Sequence, residues 1–306
     1  MKPPPFDYVA PTSIDEAVAA LARGGPEAKV LAGGQSLIPL LNFRLARPSV
    51  LVDLNRIDEL AYTTARDGGL AIGAMTRQAR IERDAGLARS QPLLSEAIRW
   101  VGHPAIRSRG TVGGSLAHAD PAAELPAVAV CLDAHLTVVG PRGRRSIPAA
   151  DFFLGYLSTA LEADELLVET WLPAVAPGTG QAWLEFARRH GDFALAGVAV
   201  SLCLRGEQVE RARIVLTGVG GTPVRAREAE TLLIGGSALD RLSAAADAVR
   251  STIDPDADIH GSKEYRSHLA GVLTERAVRV AYERALASAP AALDVRRALE
   301  TMSRYA

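Results

Sequence analysis

Two diglycine corners, Ala32-Gly33-Gly34-Gln35-Ser36 and Thr111-Val112-Gly113-Gly114-Ser115, constrain this chain more than any other feature of it. The first follows a short apolar run, and each ends in a hydroxyl residue before another apolar run. Paired glycines let the backbone take positive φ and turn successive N–H groups the same way, a nest that attracts anions. A helix beginning just after the nest adds the positive end of its dipole. Ser36 is placed to cap such a helix, with Leu37, Leu40, Leu41 and Leu45 along it and Pro39 in its first turn. One diglycine alone is an ordinary turn. Two in matching contexts point to a ligand with two linked phosphates, clasped from both sides.

The rest of the composition says which chemistries to set aside. The 306 residues suffice for one large domain or two to three small ones. Apolar residues make up 48% and charged residues 23%, with a net charge of −1, so nothing argues for nucleic acid or an anionic membrane as partner. Met1-Lys2-Pro3-Pro4-Pro5 has no signal-peptide core behind it, and no run approaches the ~18 apolar residues that span a bilayer. A cytoplasmic protein with no transmembrane segment is expected. Cys131 and Cys203 stand far apart with no CxxC, whereas an iron–sulfur cluster needs about four thiolates. The histidines show neither HxH nor HExxH spacing, which speaks against zinc. Redox chemistry here would need an organic cofactor.

Taken in order, Phe6 to Val9 reads as a strand and Ser13-Ile14-Asp15-Glu16 as a capping box that starts a helix ended by Gly24-Gly25. Strands at Lys29–Ala32 and Ser49–Leu54 complete a βαβαβ unit. Asp53 reads either as a strand-end cap or as a ribose contact. A second unit starts with a strand at Leu70–Ala74, and Thr76 is expected to cap a helix through Ile81. Residues 102–110 read as a polar, positively charged approach to the second corner. There Arg107 and Arg109 either face phosphate, or stand solvated or paired with nearby acids. A turn at 121–124 leads into a helix through Leu132, and Pro141-Arg142-Gly143 joins a hairpin. A strand from Glu165 to Leu172, which includes Leu167, precedes a cluster of Pro173, Pro177, Gly178 and Gly180 that marks a boundary. Beyond it come strands at Trp183–Arg188, Val198–Leu204 and Ala212–Leu216, then helices. The third glycine cluster, Gly218-Val219-Gly220-Gly221, is no dinucleotide fingerprint, because Pro223 stands where GxGxxG requires glycine. On residue type alone Phe193 reads as core, and His103, His118 and His190 are weak acid–base candidates.

The two corners, together with Ala119-Asp120-Pro121-Ala122-Ala123-Glu124-Leu125-Pro126, closely resemble the FAD-binding medium subunit of the molybdenum hydroxylases, the carbon monoxide dehydrogenase and xanthine dehydrogenase group. The resemblance implies an α+β chain. Two α/β lobes, residues 1–57 and 58–175, would form an FAD-binding fold of the vanillyl-alcohol-oxidase/PCMH type, followed by an α+β C-terminal domain over 176–306. It implies FAD contacts at Ala32, Gly33, Gly34, Gln35, Ser36, Leu37, Thr111, Gly113, Gly114, Ser115, Asp120 and Leu167. Glu124 matches the family's acidic ribose contact. Phe193, in Gly191-Asp192-Phe193, matches its aromatic near the flavin ring and stands where some relatives carry tyrosine. It further implies a small partner chain with two iron–sulfur clusters, a large partner with molybdenum cofactor, and a dimer of such heterotrimers. Electrons would reach FAD from the clusters and leave to an external acceptor. A stand-alone FAD-dependent oxidase or reductase of the same fold is the alternative, and a non-enzymatic α/β interaction protein is the third.

Overall fold

The computed structural model describes residues 2–288. The chain opens with β1 (Asp7–Val9), α1 (Ile14–Gly24), β2 (Ala28–Leu31), α2 (Leu37–Asn42) and β3 (Val50–Asp53). α1 starts as expected: the Ser13 hydroxyl accepts from the Glu16 N–H at 3.2 Å, and the Glu16 carboxylate accepts from the Thr12 N–H at 2.8 Å. Gly25, at φ 54°, ends it. β3 pairs in parallel with β1 on one side and β2 on the other. This is the expected βαβαβ unit.

Beyond β3 the chain forms β4 (Thr63–Arg66), β5 (Gly69–Gly73), α3 (Gln78–Arg83), α4 (Ala85–Ser90), α5 (Pro92–Ala97), α6 (Pro104–Arg109), α7 (Val112–His118) and α8 (Glu124–Cys131). β6 (His135–Gly140), β7 (Gly143–Pro148), α9 (Ala149–Phe152), β8 (Phe153–Gly155), β9 (Ser158–Thr159) and β10 (Leu166–Pro173) follow. The last elements are β11 (Thr179–Phe186), β12 (Ala196–Arg205), β13 (Gln208–Thr217), β14 (Val224–Arg225), α10 (Arg227–Leu233), α11 (Leu242–Thr252) and α12 (Lys263–Ser288).

Two compact units result. Among the described residues the first comprises 2–85, 101–120 and 133–173, and the second 86–100, 121–132 and 174–288. In the first, the parallel sheet β1-β3-β2 and the antiparallel sheet β4-β5-β10-β6-β7 share a core of Val18, Leu21, Val52, Leu54, Ile57, Met75 and Val168. In the second, an antiparallel sheet runs β11-β12-β13-β14. α12 packs on β11 and β12, and burying Val198, Val200, Leu202, Ile214 and Leu216 against Ala270, Ala277 and Ala281 supplies its main driving force.

Several local expectations are corrected. α2 stops at Asn42, so Leu45 lies beyond it and is 75% exposed, and the Ser36 side chain makes no capping bond. Thr76 is buried and donates its hydroxyl to the Tyr62 carbonyl at 2.8 Å, which leaves Arg77 as the first flanking residue of α3. Residues 104–109 form a helix opened by Pro104, whose missing N–H costs nothing at that position.

Candidate functional site

In the first corner, Gly34 takes φ 73° and its carbonyl accepts from the Ile38 N–H at 3.0 Å. The Ala32 carbonyl accepts from Asn55 Nδ2 at 3.0 Å, and the Gly33 carbonyl from Gln35 Nε2 at 3.1 Å. Three successive carbonyls are thus tied into the protein. The amides behave oppositely: among the described residues, the N–H groups of Gly33, Gly34, Gln35, Ser36 and Leu37 donate to no protein acceptor. Open amides beside anchored carbonyls, at the start of a helix, make a cradle for negative charge.

The corner is held from outside by two residues that the sequence did not single out. Asn55 is fixed by Asp53, which accepts from its backbone N–H at 2.9 Å and from its side chain. Asp53 is therefore a strand-end cap, and the alternative ribose reading is not needed to explain it. Arg77 donates to Asn55 Oδ1 at 2.5 Å and to the Arg109 carbonyl. Burial and the neighbouring Arg109 cation both lower the pKa of Arg77. Arg77 and Arg109 stand close enough to repel each other, with the Asp53 carboxylate partly offsetting the charge of Arg77.

The second corner meets the first. A Cβ on Gly33 would stand 2.5 Å from the Arg109 carbonyl oxygen and 2.8 Å from Gly110 Cα, and one on Gly114 would stand 3.3 Å from Ala32 Cβ. Its own amides, however, are committed. Gly113 donates to the Ala74 carbonyl at 2.9 Å, Gly114 to Thr111 Oγ1 at 3.0 Å, and Ser115 to the Thr111 carbonyl at 3.2 Å. The glycines here serve close approach instead: a Cβ on Gly113 would collide with Ala74 at 2.5 Å. Thr111 is the N-cap of α7, and the half-buried Ser115 lies in its first turn.

Arg107 turns away from any phosphate role. It is 5% exposed and grips Glu82 with Nε and Nη2, both at 2.8 Å, while Nη1 donates to the carbonyls of Val101 and Gly102 at 3.0 Å. Asp120 is half-buried just past Ala119, the left-handed C-cap of α7. Leu167 is buried on β10, opposite Val138, on a strand against which α7 packs. The first unit therefore gathers residues 32–37 with 111–115, and carries Asp120 just past α7 and Leu167 on β10.

Glu124 and Phe193 belong to the second unit. Glu124 is buried at the first position of α8. Phe193 lies in the turn between β11 and β12, which Gly191 bends at φ 91° and the Leu195 N–H closes onto the Phe186 carbonyl at 2.9 Å. At 71% exposed, Phe193 is not core, correcting the reading from residue type. His190 stacks on Trp100 with ring centroids 5.1 Å apart. Among the described residues no three acidic, histidine or cysteine side chains gather as a metal site, and no helix is long and apolar enough to cross a membrane.

Comparison with known proteins gives the family. Residues 4–175 match the family described as the FAD binding domain in molybdopterin dehydrogenase, and residues 181–281 match the CO dehydrogenase flavoprotein C-terminal domain. The chain is 45% identical to the 6-hydroxypseudooxynicotine dehydrogenase complex subunit alpha of Paenarthrobacter nicotinovorans, over 93% of this chain and 97% of the relative. It is 40% identical to the carbon monoxide dehydrogenase medium chain of Hydrogenophaga pseudoflava, over 93% and 99%. Among solved structures, carbon monoxide dehydrogenase from Hydrogenophaga pseudoflava lacking the Mo-pyranopterin moiety superposes with a TM-score of 0.91 at 42% identity, covering 93% of this chain and 99% of that one. Quinoline 2-oxidoreductase from Pseudomonas putida 86 superposes with a TM-score of 0.89 at 40% identity, covering 94% and 100%.

Proposed function

This chain belongs to the FAD-binding medium-chain family of the molybdopterin dehydrogenases, and from that premise we propose how it works. It is the flavoprotein subunit of a multi-subunit molybdenum hydroxylase, an oxidoreductase component that relays electrons from partner chains to an external acceptor. The partners are a small chain with two iron–sulfur clusters and a large chain with molybdenum cofactor, assembled as a dimer of heterotrimers in the cytoplasm. When bound, FAD supplies the redox chemistry that joins electron entry to electron exit. The chain's own task is to bind and orient.

The observation that carries this reading is the first corner, where the amides of Gly33 to Leu37 have no protein acceptor and three carbonyls are anchored. A diphosphate brings the acceptors those amides lack, and the α2 N-terminus adds its dipole. Gly113 and Gly114 keep the second corner pressed against Ala74 and Ala32, so that Thr111 and Ser115 flank the same place. In this reading Glu124 accepts from sugar hydroxyls and Phe193 offers its exposed ring to the flavin. Asp120 and Leu167 complete the contacts.

The test is reconstitution of the flavin-depleted complex with FAD or with FMN, which lacks the second phosphate together with the adenosine it carries. A grip on the diphosphate, with charge-assisted bonds at about 1.5–3 kcal/mol each, predicts FAD binding at least about a hundredfold tighter. Equal affinity for both would remove the basis of the assignment.

A further inference from the structure

The two glycine corners touch, yet among the described residues no hydrogen bond runs directly between 32–37 and 109–115. Their contact is one of shape, with Gly33 lying against Arg109 and Gly110, and Gly114 against Ala32. Such a contact resists compression, while only weak dispersion opposes separation. The polar tie between the corners runs through Arg77.

By its backbone Arg77 belongs to the second corner. It faces Thr111 in an isolated antiparallel bridge, flanked by two bonds of 3.0 Å: the Val112 N–H donates to the Thr76 carbonyl, and the Gln78 N–H to the Gly110 carbonyl. By its side chain it reaches the first corner. The guanidinium fork is divided, Nη1 donating to the Arg109 carbonyl and Nη2 to Asn55 Oδ1 at 2.5 Å. Asn55 passes the tie on, its Nδ2 donating to the Ala32 carbonyl at 3.0 Å. Asp53 Oδ1 keeps Asn55 in place by accepting its backbone N–H at 2.9 Å and its Nδ2 at 2.5 Å. Asp53 Oδ2 accepts in turn from the Tyr8 hydroxyl at 2.5 Å. These partners fix which way the Asn55 amide lies: Oδ1 meets a guanidinium, which can only donate, and Nδ2 meets two acceptors.

On charge alone this is a poor place for a cation. Burial and the Arg109 cation both work against the charge of Arg77, and Asp53 offsets them only in part. What arginine brings is shape, because its planar fork presents two N–H groups at a fixed spacing that one ammonium cannot reproduce.

We propose that Arg77 is a positioning residue for the cofactor, tying the first corner to the second so that the amides of Gly33 to Leu37 are held beside Thr111 and Ser115 before any ligand arrives. The tie stands on the contacts of the chain itself; its consequence for the cofactor rests on the FAD assignment. Both terminal nitrogens of Arg77 already have protein acceptors, so the residue acts through Asn55 and Arg109. A site held ready in this way loses less ordering entropy when the ligand binds.

The test is FAD affinity of the flavin-depleted complex in the wild type, Arg77→Lys, Asn55→Ala and the double variant. Arg77→Lys keeps the charge and loses the fork, so it should bind FAD about tenfold more weakly or worse. Asn55→Ala cuts the same tie at its other end and should do likewise. The double variant should then bind no more weakly than the weaker single one. Arg80→Lys, on the same helix with Nη1 on the Ala61 carbonyl at 3.2 Å, should bind like the wild type. Melting temperatures of the flavin-free complexes separate lost affinity from lost fold. Should Arg77→Lys fail to fold, Asn55→Ala decides: weakened binding supports the tie and wild-type affinity overturns it. Wild-type affinity in Arg77→Lys, or single losses that multiply in the double variant, would overturn the proposal and leave the FAD assignment standing. A wild type that binds FAD no better than FMN would instead strike that assignment, and the cofactor role of Arg77 with it.

Discussion

Gly33 lies against Arg109 so closely that a single added methyl would stand 2.5 Å from the Arg109 carbonyl oxygen. Through this contact the backbone of the first glycine corner rests on the segment that delivers the second. Overpacking such a site costs about 1–3 kcal/mol. Gly33→Ala should therefore lower both the melting temperature and the flavin content of the purified complex. Gly25→Ala, where a Cβ meets nothing within 4 Å, should cost stability through its φ of 54° and leave flavin content intact.

Arg107 is a structural residue. Removing one partner of a buried ion pair costs about 3–5 kcal/mol, and here two carbonyls would also lose their donor. Arg107→Ala should destabilise the chain by that order in denaturant titrations. The ratio of FAD to FMN affinity in whatever material folds should not change, since the guanidinium is committed to Glu82.

The Arg145 guanidinium, 2.8 Å and 2.6 Å from the two oxygens of Glu165, holds that carboxyl below its ordinary value near 4.5. The unfolded chain then takes up the proton more readily than the folded one. The pair contributes stability above about pH 4.5 and loses it as pH falls through the folded-state pKa. Arg145→Ala should leave less stability at neutral pH, by about 1 kcal/mol for a half-exposed partner. It should also flatten the acid limb of a melting-temperature profile.

Phe193 separates packing from function cleanly because it is exposed. Surface substitutions away from special features stay within about 0.5 kcal/mol. Phe193→Ala should melt like the wild type, while the visible absorption band or midpoint potential of the bound flavin shifts. Unaltered flavin spectra and potential would remove Phe193 from the site.

Much of this was readable before any coordinates. Ser13 with Glu16, the βαβαβ order, the Pro141-Arg142 hairpin and the likeness of both corners to one family all rest on local or motif signals. What escaped did so for physical reasons. The β4–β5 hairpin turns on Asp67 and Gly68, at φ 53° and 69°, a turn signal present in the sequence but obscured by the polar strand beside it. α6 has too little apolar periodicity to announce a helix, and only Pro104 hints at its start. The amides of Gly113 and Gly114 looked free because their acceptors, Ala74 and the Thr111 hydroxyl, are set by packing.

The claim on which the account turns is that the backbone N–H groups of one short corner hold the cofactor's diphosphate. Amide hydrogen exchange on the intact complex, with FAD and after its removal, measures this most directly. Slowed exchange at Gly33 to Leu37 on loading, with Gly113 and Gly114 already protected in both states, is the predicted result. Stoichiometric FAD with unchanged exchange across 33–37 would contradict it.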